Sequence, residues 1–187
     1  MIPNLSGHVM PLGQRNISVK LTLSTQFTIH KTYFHSVIKY GTIFWVNSSN
    51  SGKIFTLQKK IIRIMAGAQP RTSCRSLFKQ LEILSVSCQY TLSLMKLIVN
   101  NQEIFQTNLA IHNINSKNKH QLHKTNANLF CFQKSILDIG INIFNSLPPS
   151  VTILTNDRAK FKVTLRKYVH THPFYSVNEF VMSKDDL

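Results

Sequence analysis

Apolar residues recur every three or four positions along most of this chain, which is the spacing of a helix with one buried face. The clearest example lies between positions 54 and 65, where the apolar residues are Ile54, Leu57, Ile61, Ile64 and Met65. Gly67 suits the position just beyond a helix C-terminus, and Pro70 prevents the helix from resuming. The pattern therefore predicts a helix that ends at Met65 or Ala66, with these five side chains facing the core.

The same spacing predicts further helices in the ranges 31–47, 73–81, 85–104, 135–147, 158–170 and 176–182. Polar residues that suit N-terminal caps precede most of them: the turn 47–52, Thr72 or Ser73, Ser135, Asn156 or Asp157, and the capping box Ser176–Glu179. In the range 158–170 the apolar positions are Phe161, Leu165, Tyr168 and Val169, and the basic ones are Arg158, Lys160, Lys162, Arg166 and Lys167. This range is predicted to be a basic amphipathic helix.

Residues 31–47 are dense in aromatic side chains: Tyr33, Phe34, Tyr40, Phe44 and Trp45. Beside Lys31, His35 and Lys39, such rings suit a stacking platform for bases. A run this apolar is more often buried, so the core is the favoured interpretation. We expect one helix that continues through Gly41, with Val37, Tyr40, Ile43 and Phe44 on its inner face.

Two segments lack helical spacing. Residues 17–29 alternate between apolar and polar, which is typical of one amphipathic strand. Residues 108–128 are rich in Asn, His and Lys and predict a long exposed loop. The chain is therefore predicted to be all-α, an irregular helical bundle with a long polar loop at its middle and room for one N-terminal strand.

The charge balance says more about possible binding partners than the chain length does. The 187 residues include 22 Lys and Arg against 7 Asp and Glu, a formal net charge of +15, with a sequence pI of about 10.1. Such an excess favours association with a polyanion, nucleic acid first and an anionic membrane second, although a basic protein that is merely soluble has the same composition. No apolar run is long enough to span a membrane, and no secretory signal is visible.

The cysteines and histidines suggest little chemistry. Cys74, Cys88 and Cys131 are scattered, which argues against a disulfide framework and fits a cytoplasmic or nuclear location over secretion. His112, His120, His123 and Cys131 could bind a metal, but they are not spaced as the tightly paired ligands of a structural zinc site. A solvated loop that faces phosphates is therefore the favoured interpretation. A hydrolase would have to use His170 and His172 near Tyr175, or Cys131 near His123. No cofactor and no small-molecule substrate are predicted.

Six blocks of sequence are informative when taken together: YFHSVIKYGTIFW (33–45), LQKKIIRIMAG (57–67), CRSLFKQLEIL (74–84), IHNINSKNKHQLH (111–123), KSILDIGINIFNSLPPS (134–150) and FKVTLRKYVHTHPFYSVNEF (161–180). Together they resemble the region downstream of the polymerase core in reverse transcriptases of non-LTR (LINE-like, jockey-type) retrotransposons. Their order and spacing cover about four fifths of the chain. The resemblance implies a domain at 33–187, a thumb-like helical region, and leaves residues 1–32 unmatched.

The sequence also departs from this family. Val46 follows the tryptophan where members often have Gly, and residues 114–118 replace a YNTRN-like pattern, with Lys117 in place of the Arg. The resemblance implies a parent polymerase with adjacent aspartates in a YADD-type turn, which hold two metal ions. Asp185 and Asp186 follow the matched region instead of preceding it, in a tail expected to fray. No catalytic residue is assigned, and the chain is predicted not to be an enzyme.

The function expected from charge and resemblance together is sequence-independent grip on RNA or an RNA–DNA duplex through phosphates. The expected contacts are Lys59, Lys60, Arg63, Arg71, Arg75, Lys117, Lys119, Lys124, Arg166 and Lys167. The alternatives are a retrotransposon-derived product without a selected function and, less favoured, an unrelated hydrolytic enzyme.

Overall fold

The computed structural model describes Thr25, Thr28, residues 35–46, Ser48 and the ranges 50–112, 119–124 and 135–182. The chain divides into two compact units, residues 1–38 and residues 39–187. The predicted domain boundary between residues 32 and 33 stays a prediction. Most of the predicted strand 17–29 lies outside the described residues, but Thr25 and Thr28 within it are helical, so the strand prediction is wrong at these two positions.

The described part of the chain is all-α, as the sequence predicts. Its ten α-helices are α1 (His35–Lys39), α2 (Thr42–Trp45), α3 (Ser51–Met65), α4 (Cys74–Gln80), α5 (Val86–Asn100), α6 (Asn108–His112), α7 (Ile136–Asn145), α8 (Pro149–Thr152), α9 (Arg158–Thr171) and α10 (Val177–Met182). Two 3₁₀ turns cover Gln102–Ile104 and Ile153–Asn156. No helix within the described ranges has the length and apolarity needed to cross a membrane.

Helix α5 is the centre of the larger unit. It packs against α2, α3, α7 and α9, and eleven of its fifteen residues are buried. Tyr90, Leu94 and Met95 are fully enclosed. A helix with apolar residues all round belongs inside a bundle, and this one carries a single charged residue, Lys96. It ends at Asn100, four residues before the predicted end.

Helix α7 approaches α5 closely because it has a glycine at the crossing. A Cβ atom built on Gly140 would lie 2.7 Å from Ile98 Cδ1 and 3.4 Å from Leu94 Cγ. The N-terminus of α7 is capped as predicted, since Ser135 Oγ accepts a hydrogen bond from the Asp138 N–H at 3.1 Å. The local cap and the close crossing together fix α7 on the core.

The predicted inner face of α3 is wrong for two of its five members, Leu57 and Ile64, while Ile54 and Ile61 are half-buried. The buried residues are Gln58, Ile62 and Met65, whereas Leu57 is 50% exposed and Ile64 is 66% exposed. The helix is turned because Gln58 is held inside by two hydrogen bonds, from its Nε2 to the Leu84 carbonyl and to its Oε1 from the Val86 N–H. The predicted C-terminus is confirmed: α3 ends at Met65, and Gly67 has a φ of 60°.

The predicted single helix over residues 31–47 is wrong. Gly41 adopts a left-handed φ of 64°, which separates α1 from α2. Tyr40 is 87% exposed and Phe44 is 79% exposed, so neither ring belongs to the core as predicted. Thr42 is buried at this break instead, and Ile43 packs partly against the core. Tyr33 and Phe34 lie outside the described residues.

Two of the five predicted caps, at Ser135 and Asp157, form fully, and a third forms in part. The Asp157 carboxylate accepts hydrogen bonds from the N–H groups of Ala159 and Lys160 at the start of α9. Phe161, Leu165 and Val169 of α9 are buried as predicted. At α10, Ser176 Oγ accepts from the Glu179 N–H, but the Glu179 carboxylate accepts from Tyr175 rather than completing the box on Ser176. Asn50 and Ser73 precede α3 and α4 without a side-chain cap bond.

The predicted long loop at 108–128 is partly ordered, which corrects the expectation of an exposed segment without helix. It begins with the short helix α6, and Thr107 forms an isolated antiparallel bridge with Leu122. Leu122 is buried because the Asn145 side chain pairs with both its N–H (2.8 Å) and its carbonyl (3.0 Å). An amide side chain thus replaces a neighbouring strand and anchors the segment to α7. The predicted fraying of residues 184–187 lies outside the described residues.

Candidate nucleic-acid interface

Four of the predicted phosphate contacts lie along the line where α3 meets α4. We call this set, Lys59, Arg63, Arg71 and Arg75, the α3–α4 seam. Cys74 Sγ lies 3.7 Å from the Lys59 carbonyl, which places Arg75 next to Lys59 across the two helices. Arg63 Nε donates to the Thr72 carbonyl at 2.9 Å and so fastens the connecting turn that carries the exposed Arg71. The seam therefore brings together cations that are sixteen positions apart in the sequence.

Aromatic rings hold two of the seam cations in place. The Lys59 ammonium lies 4.7 Å from the Phe55 ring centre and 5.8 Å from that of Tyr175, and the Arg75 guanidinium lies 4.5 Å from that of Tyr175. Phe55 and Tyr175 themselves meet edge to face at 5.1 Å. Burial is the main cause of a raised pKa for the Tyr175 hydroxyl, so the phenol stays neutral at physiological pH. Tyr175 positions the cations and leaves little open face for a base.

Some predicted contacts already have an acidic partner. Arg75 Nη2 lies 2.6 Å from Glu179 Oε1, which offsets part of its charge. Lys124 Nζ lies 3.3 Å from Asp138 Oδ2 and also donates to Asn142 Oδ1 at 3.2 Å. These exposed or half-exposed pairs are weak in water and exchange readily for a stronger anion. Arg75 and Lys124 therefore have acidic partners in this structure and can exchange them for another anion.

The remaining predicted contacts are separate from the seam. Lys60 is exposed on the outer side of α3, and Arg166 and Lys167 are exposed on α9. Lys119 is half-buried, and its carbonyl accepts a hydrogen bond from the Leu109 N–H at 3.1 Å. Lys117 lies outside the described residues. Among the described members of the predicted set, the seam residues lie on α3, on α4 and on the turn between these two helices, which are in direct contact.

Sequence reasoning missed Lys96, the one charged residue of the buried helix α5. Burial is the main cause of a lowered pKa for Lys96, followed by the positive charges of Lys162, Lys39 and Arg166. An isolated lysine in an apolar helix is the sequence signal that could have found it. Helical spacing also places Lys162 and Arg166 one turn apart on the same side of α9.

The residues considered for hydrolysis do not form a nucleophile and base. His172 Nδ1 lies 3.2 Å from the Tyr168 carbonyl and 3.0 Å from Thr171 Oγ1. Burial and then the Arg166 charge lower the pKa of the half-buried His170, while Glu82 raises it. Tyr175 is engaged with the seam cations, as described above. The His112 and His123 rings meet edge to face at 5.1 Å, and within the described ranges no three potential metal ligands come together. Cys131 lies outside the described residues.

An open cleft of about 880 Å³ lies beside the seam, between α4 and the connection from α9 to α10. Arg75 and Lys79 line one side, and His172 and Glu179 line the other. Its lining combines two cations, one carboxylate and apolar groups such as Phe174 and Met182, so it can take a ligand with both charged and apolar parts. The cleft therefore extends the candidate interface from the seam cations toward α10.

Comparison with known proteins identifies no matching family model, no similar curated protein and no similar solved structure.

Proposed function

We propose that this chain is a helical module that binds RNA or an RNA–DNA duplex through its phosphates, without reading sequence. The observation that carries the proposal is the α3–α4 seam, where Lys59, Arg63, Arg71 and Arg75 are gathered on one line of the surface. Only three ion pairs join residues within the described ranges, while the chain carries a net charge of +15. Cations in such excess are neutralised most effectively by a polyanion.

The resemblance to the post-polymerase region of non-LTR retrotransposon reverse transcriptases supports the same proposal. We infer that the chain derives from such an element and retains a thumb-like grip without the catalytic core. In this proposal the chain supplies contacts to the nucleic-acid backbone and no chemistry of its own. Its location is then cytoplasmic or nuclear, where such a template is found.

Fluorescence anisotropy with an end-labelled RNA hairpin tests the proposal directly. At low salt the full chain should bind the hairpin far more tightly than serum albumin does. The logarithm of its affinity should fall linearly with the logarithm of salt concentration, by about 0.7–0.9 per phosphate contact. A duplex of unrelated sequence should bind with similar affinity. Binding no tighter than that of albumin would refute the proposal.

A seam variant tests where the contact lies. Replacing Lys59, Arg71 and Arg75 with Gln removes three cations and leaves intact both the buried stripe of α3 and the Arg63 hydrogen bond to the connecting turn. The expected result is a loss of affinity of roughly tenfold or more at 0.1 M salt. The matched control replaces Lys53, Arg158 and Lys160, which removes the same charge at exposed residues outside the predicted contacts. Equal losses in both triple variants would show that net charge alone matters.

A further inference from the structure

Helices α5 and α9 run antiparallel, and their side chains fix the register. At the start of α5, Ser85 Oγ donates to the Phe174 carbonyl at 2.7 Å, and Ser87 Oγ donates to the Tyr175 carbonyl at 2.9 Å. One turn further, Cys88 Sγ lies 3.6 Å from the Val169 carbonyl. The beginning of α5 therefore lies beside the end of α9, and residues further along α5 lie beside earlier residues of α9.

This register places Lys96 beside the first half of α9. Lys96 follows Cys88 by two turns, so it lies at the level of residues about two turns before Val169. Those are the residues around Phe161, which is buried against α5. Lys162 and Arg166 flank the buried stripe of α9 on one side, one turn apart. Lys96 therefore lies at the level of these two exposed cations, where α5 packs on α9.

A fourth cation, Lys39, ends α1 three residues before α2, the helix that packs on α5. Burial lowers the pKa of Lys96 first, then the charges of Lys162, Lys39 and Arg166, and none of the described acidic residues opposes them. The next turn of α9 carries His170, whose pKa is lowered by burial and by the charge of Arg166 and is raised by the charge of Glu82. None of the three ion pairs between described residues involves Lys39, Lys96, Lys162 or Arg166. We call these four residues the α5–α9 cation cluster.

Such a cluster opposes folding, because like charges repel and Lys96 loses part of its hydration. Ordinary surface lysines avoid this cost by pointing into water. Lys96 instead is half-buried on the central helix, at the level of two cations of α9. A phosphodiester group removes the repulsion, since it accepts hydrogen bonds from the ammonium groups and from the fork of Arg166.

We propose that the α5–α9 cation cluster is a phosphate-binding subsite, which holds one or two phosphodiester groups of the bound nucleic acid. This rests on the proposed function, and it assigns a main contact outside the α3–α4 seam. Of these four residues, only Arg166 was predicted from the sequence to be a phosphate contact. The subsite predicts that the nucleic acid contacts α9 on the side facing α5 and not on the side that carries Lys160 and Lys167.

Two double variants test this assignment on the full chain. Lys162→Gln with Arg166→Gln removes two cluster cations. Lys53→Gln with Lys160→Gln removes the same charge at two exposed lysines outside the predicted contacts, the seam and the cluster, and it serves as the control. For the labelled RNA hairpin at 0.1 M salt, the cluster variant should lose roughly tenfold in affinity, with a salt dependence lower by about 1–2. The control should lose less than about threefold. Equal losses in the two variants would overturn the subsite.

A second measurement does not depend on RNA binding. In an NMR titration of the lysine ammonium groups, inorganic tripolyphosphate should raise the pKa of Lys96 and leave that of Lys160 unchanged. If the chain fails to bind RNA but Lys96 responds, the proposed function fails and the anion site stands. If RNA binds and Lys96 does not respond to either ligand, the subsite is refuted. Tighter binding to phosphatidylserine vesicles than to RNA at equal salt would refute the assignment to nucleic acid.

Discussion

The Gln58 side-chain oxygen accepts a hydrogen bond from the Val86 backbone N–H at 3.0 Å, twenty-eight positions along the chain. Its amide nitrogen donates to the Leu84 carbonyl at 2.9 Å. One buried amide on α3 therefore satisfies the backbone on both sides of Ser85, where α5 begins. Val86 N–H belongs to the first turn of α5 and has no partner within its own helix. This pair connects the helix of the seam to the central helix of the fold.

Replacing Gln58 with Leu should destabilise the protein far more than its size suggests. The variant keeps the volume but leaves the Val86 N–H and the Leu84 carbonyl buried without partners. Each unsatisfied group costs about 1–3 kcal/mol, so the unfolding free energy should fall by about 2–4 kcal/mol. Urea denaturation measures this directly. The control is Gln80→Leu at an exposed position of α4, which should change stability by less than about 0.5 kcal/mol.

Gln58 also shows where prediction from the sequence stops. Apolar spacing assigned the exposed Leu57 and Ile64 to the core and left out Gln58, because a glutamine counts as polar wherever it lies. Its burial depends on Leu84 and Val86, which a pattern confined to residues 54–65 does not include. By contrast, the caps at Ser135 and Asp157 were predicted correctly, since each needs only backbone N–H groups two or three residues away.

The candidate interface, too, could be predicted from the sequence only in part. The number and sign of the charges could be read from the sequence, and so could the basic face of α9. Which cations meet could not, because the seam depends on how α3 packs on α4 and the cation cluster depends on the α5–α9 register. Lys96 was overlooked since it lies in an apolar segment. Tyr40 and Phe44 were assigned to the core because Gly41 can continue a helix, although here it adopts the left-handed conformation that breaks one.

Gly140→Ala should weaken the crossing of α7 and α5. The added methyl group meets Ile98 Cδ1 at 2.7 Å and Leu94 Cγ at 3.4 Å, so it overpacks the contact by about 1–3 kcal/mol. The better helix propensity of Ala returns about 1 kcal/mol, which leaves a net loss of about 1 kcal/mol. Thermal unfolding should show a lower Tm for this variant. In Gly52→Ala, where no atom lies within 4 Å of the new methyl group, the Tm should stay equal or rise.

A second substitution, at Ile98, should relieve the overpacking that Gly140→Ala causes. Ile98→Val removes Cδ1, the atom that the new methyl group meets first. The double variant Gly140→Ala with Ile98→Val should therefore be more stable than the sum of the two single effects by about 0.5–1 kcal/mol. Strict additivity would show that the two side chains do not touch.

His170 should make stability depend on pH in the weakly acidic range. Burial and Arg166 hold its pKa below its usual value of 6.5, so at intermediate pH the unfolded chain binds more protons than the folded one. Stability therefore rises with pH from the folded pKa up to about 6.5, and it falls on acidification. The half-exposed ring limits the effect to less than about 1 kcal/mol.

Thermal unfolding at pH 5, 6 and 7 measures the contribution of His170. His170→Gln should flatten the dependence, whereas the exposed His120→Gln should leave it as in the wild type. A wild-type slope that survives in His170→Gln would assign the effect to another group.

Lys96→Met should stabilise the fold and weaken nucleic-acid binding in the same variant. The pKa of Lys96 is lowered by burial and by Lys162, Lys39 and Arg166, so its charged form costs free energy in the folded state. Stability of the wild type should therefore rise with pH from the folded pKa of Lys96 up to its usual value of 10.5. Met keeps the stem and removes the charge, and after solvent screening the expected gain is roughly 0.5 kcal/mol at pH 7.

If Lys96→Met raises stability and lowers affinity for RNA, the Lys96 charge serves binding and does not stabilise the fold. Urea denaturation at pH 7 and at pH 10 should show a gain for Lys96→Met that shrinks at the higher pH, where the wild-type ammonium loses its proton. Anisotropy with the RNA hairpin should show affinity reduced severalfold and a salt dependence lower by about 1. Lys96→Arg should keep both the charge and most of the affinity. A Lys96→Met variant that is less stable than the wild type would mean that the ammonium has a favourable partner within the fold, which removes the reason for assigning a phosphate to it.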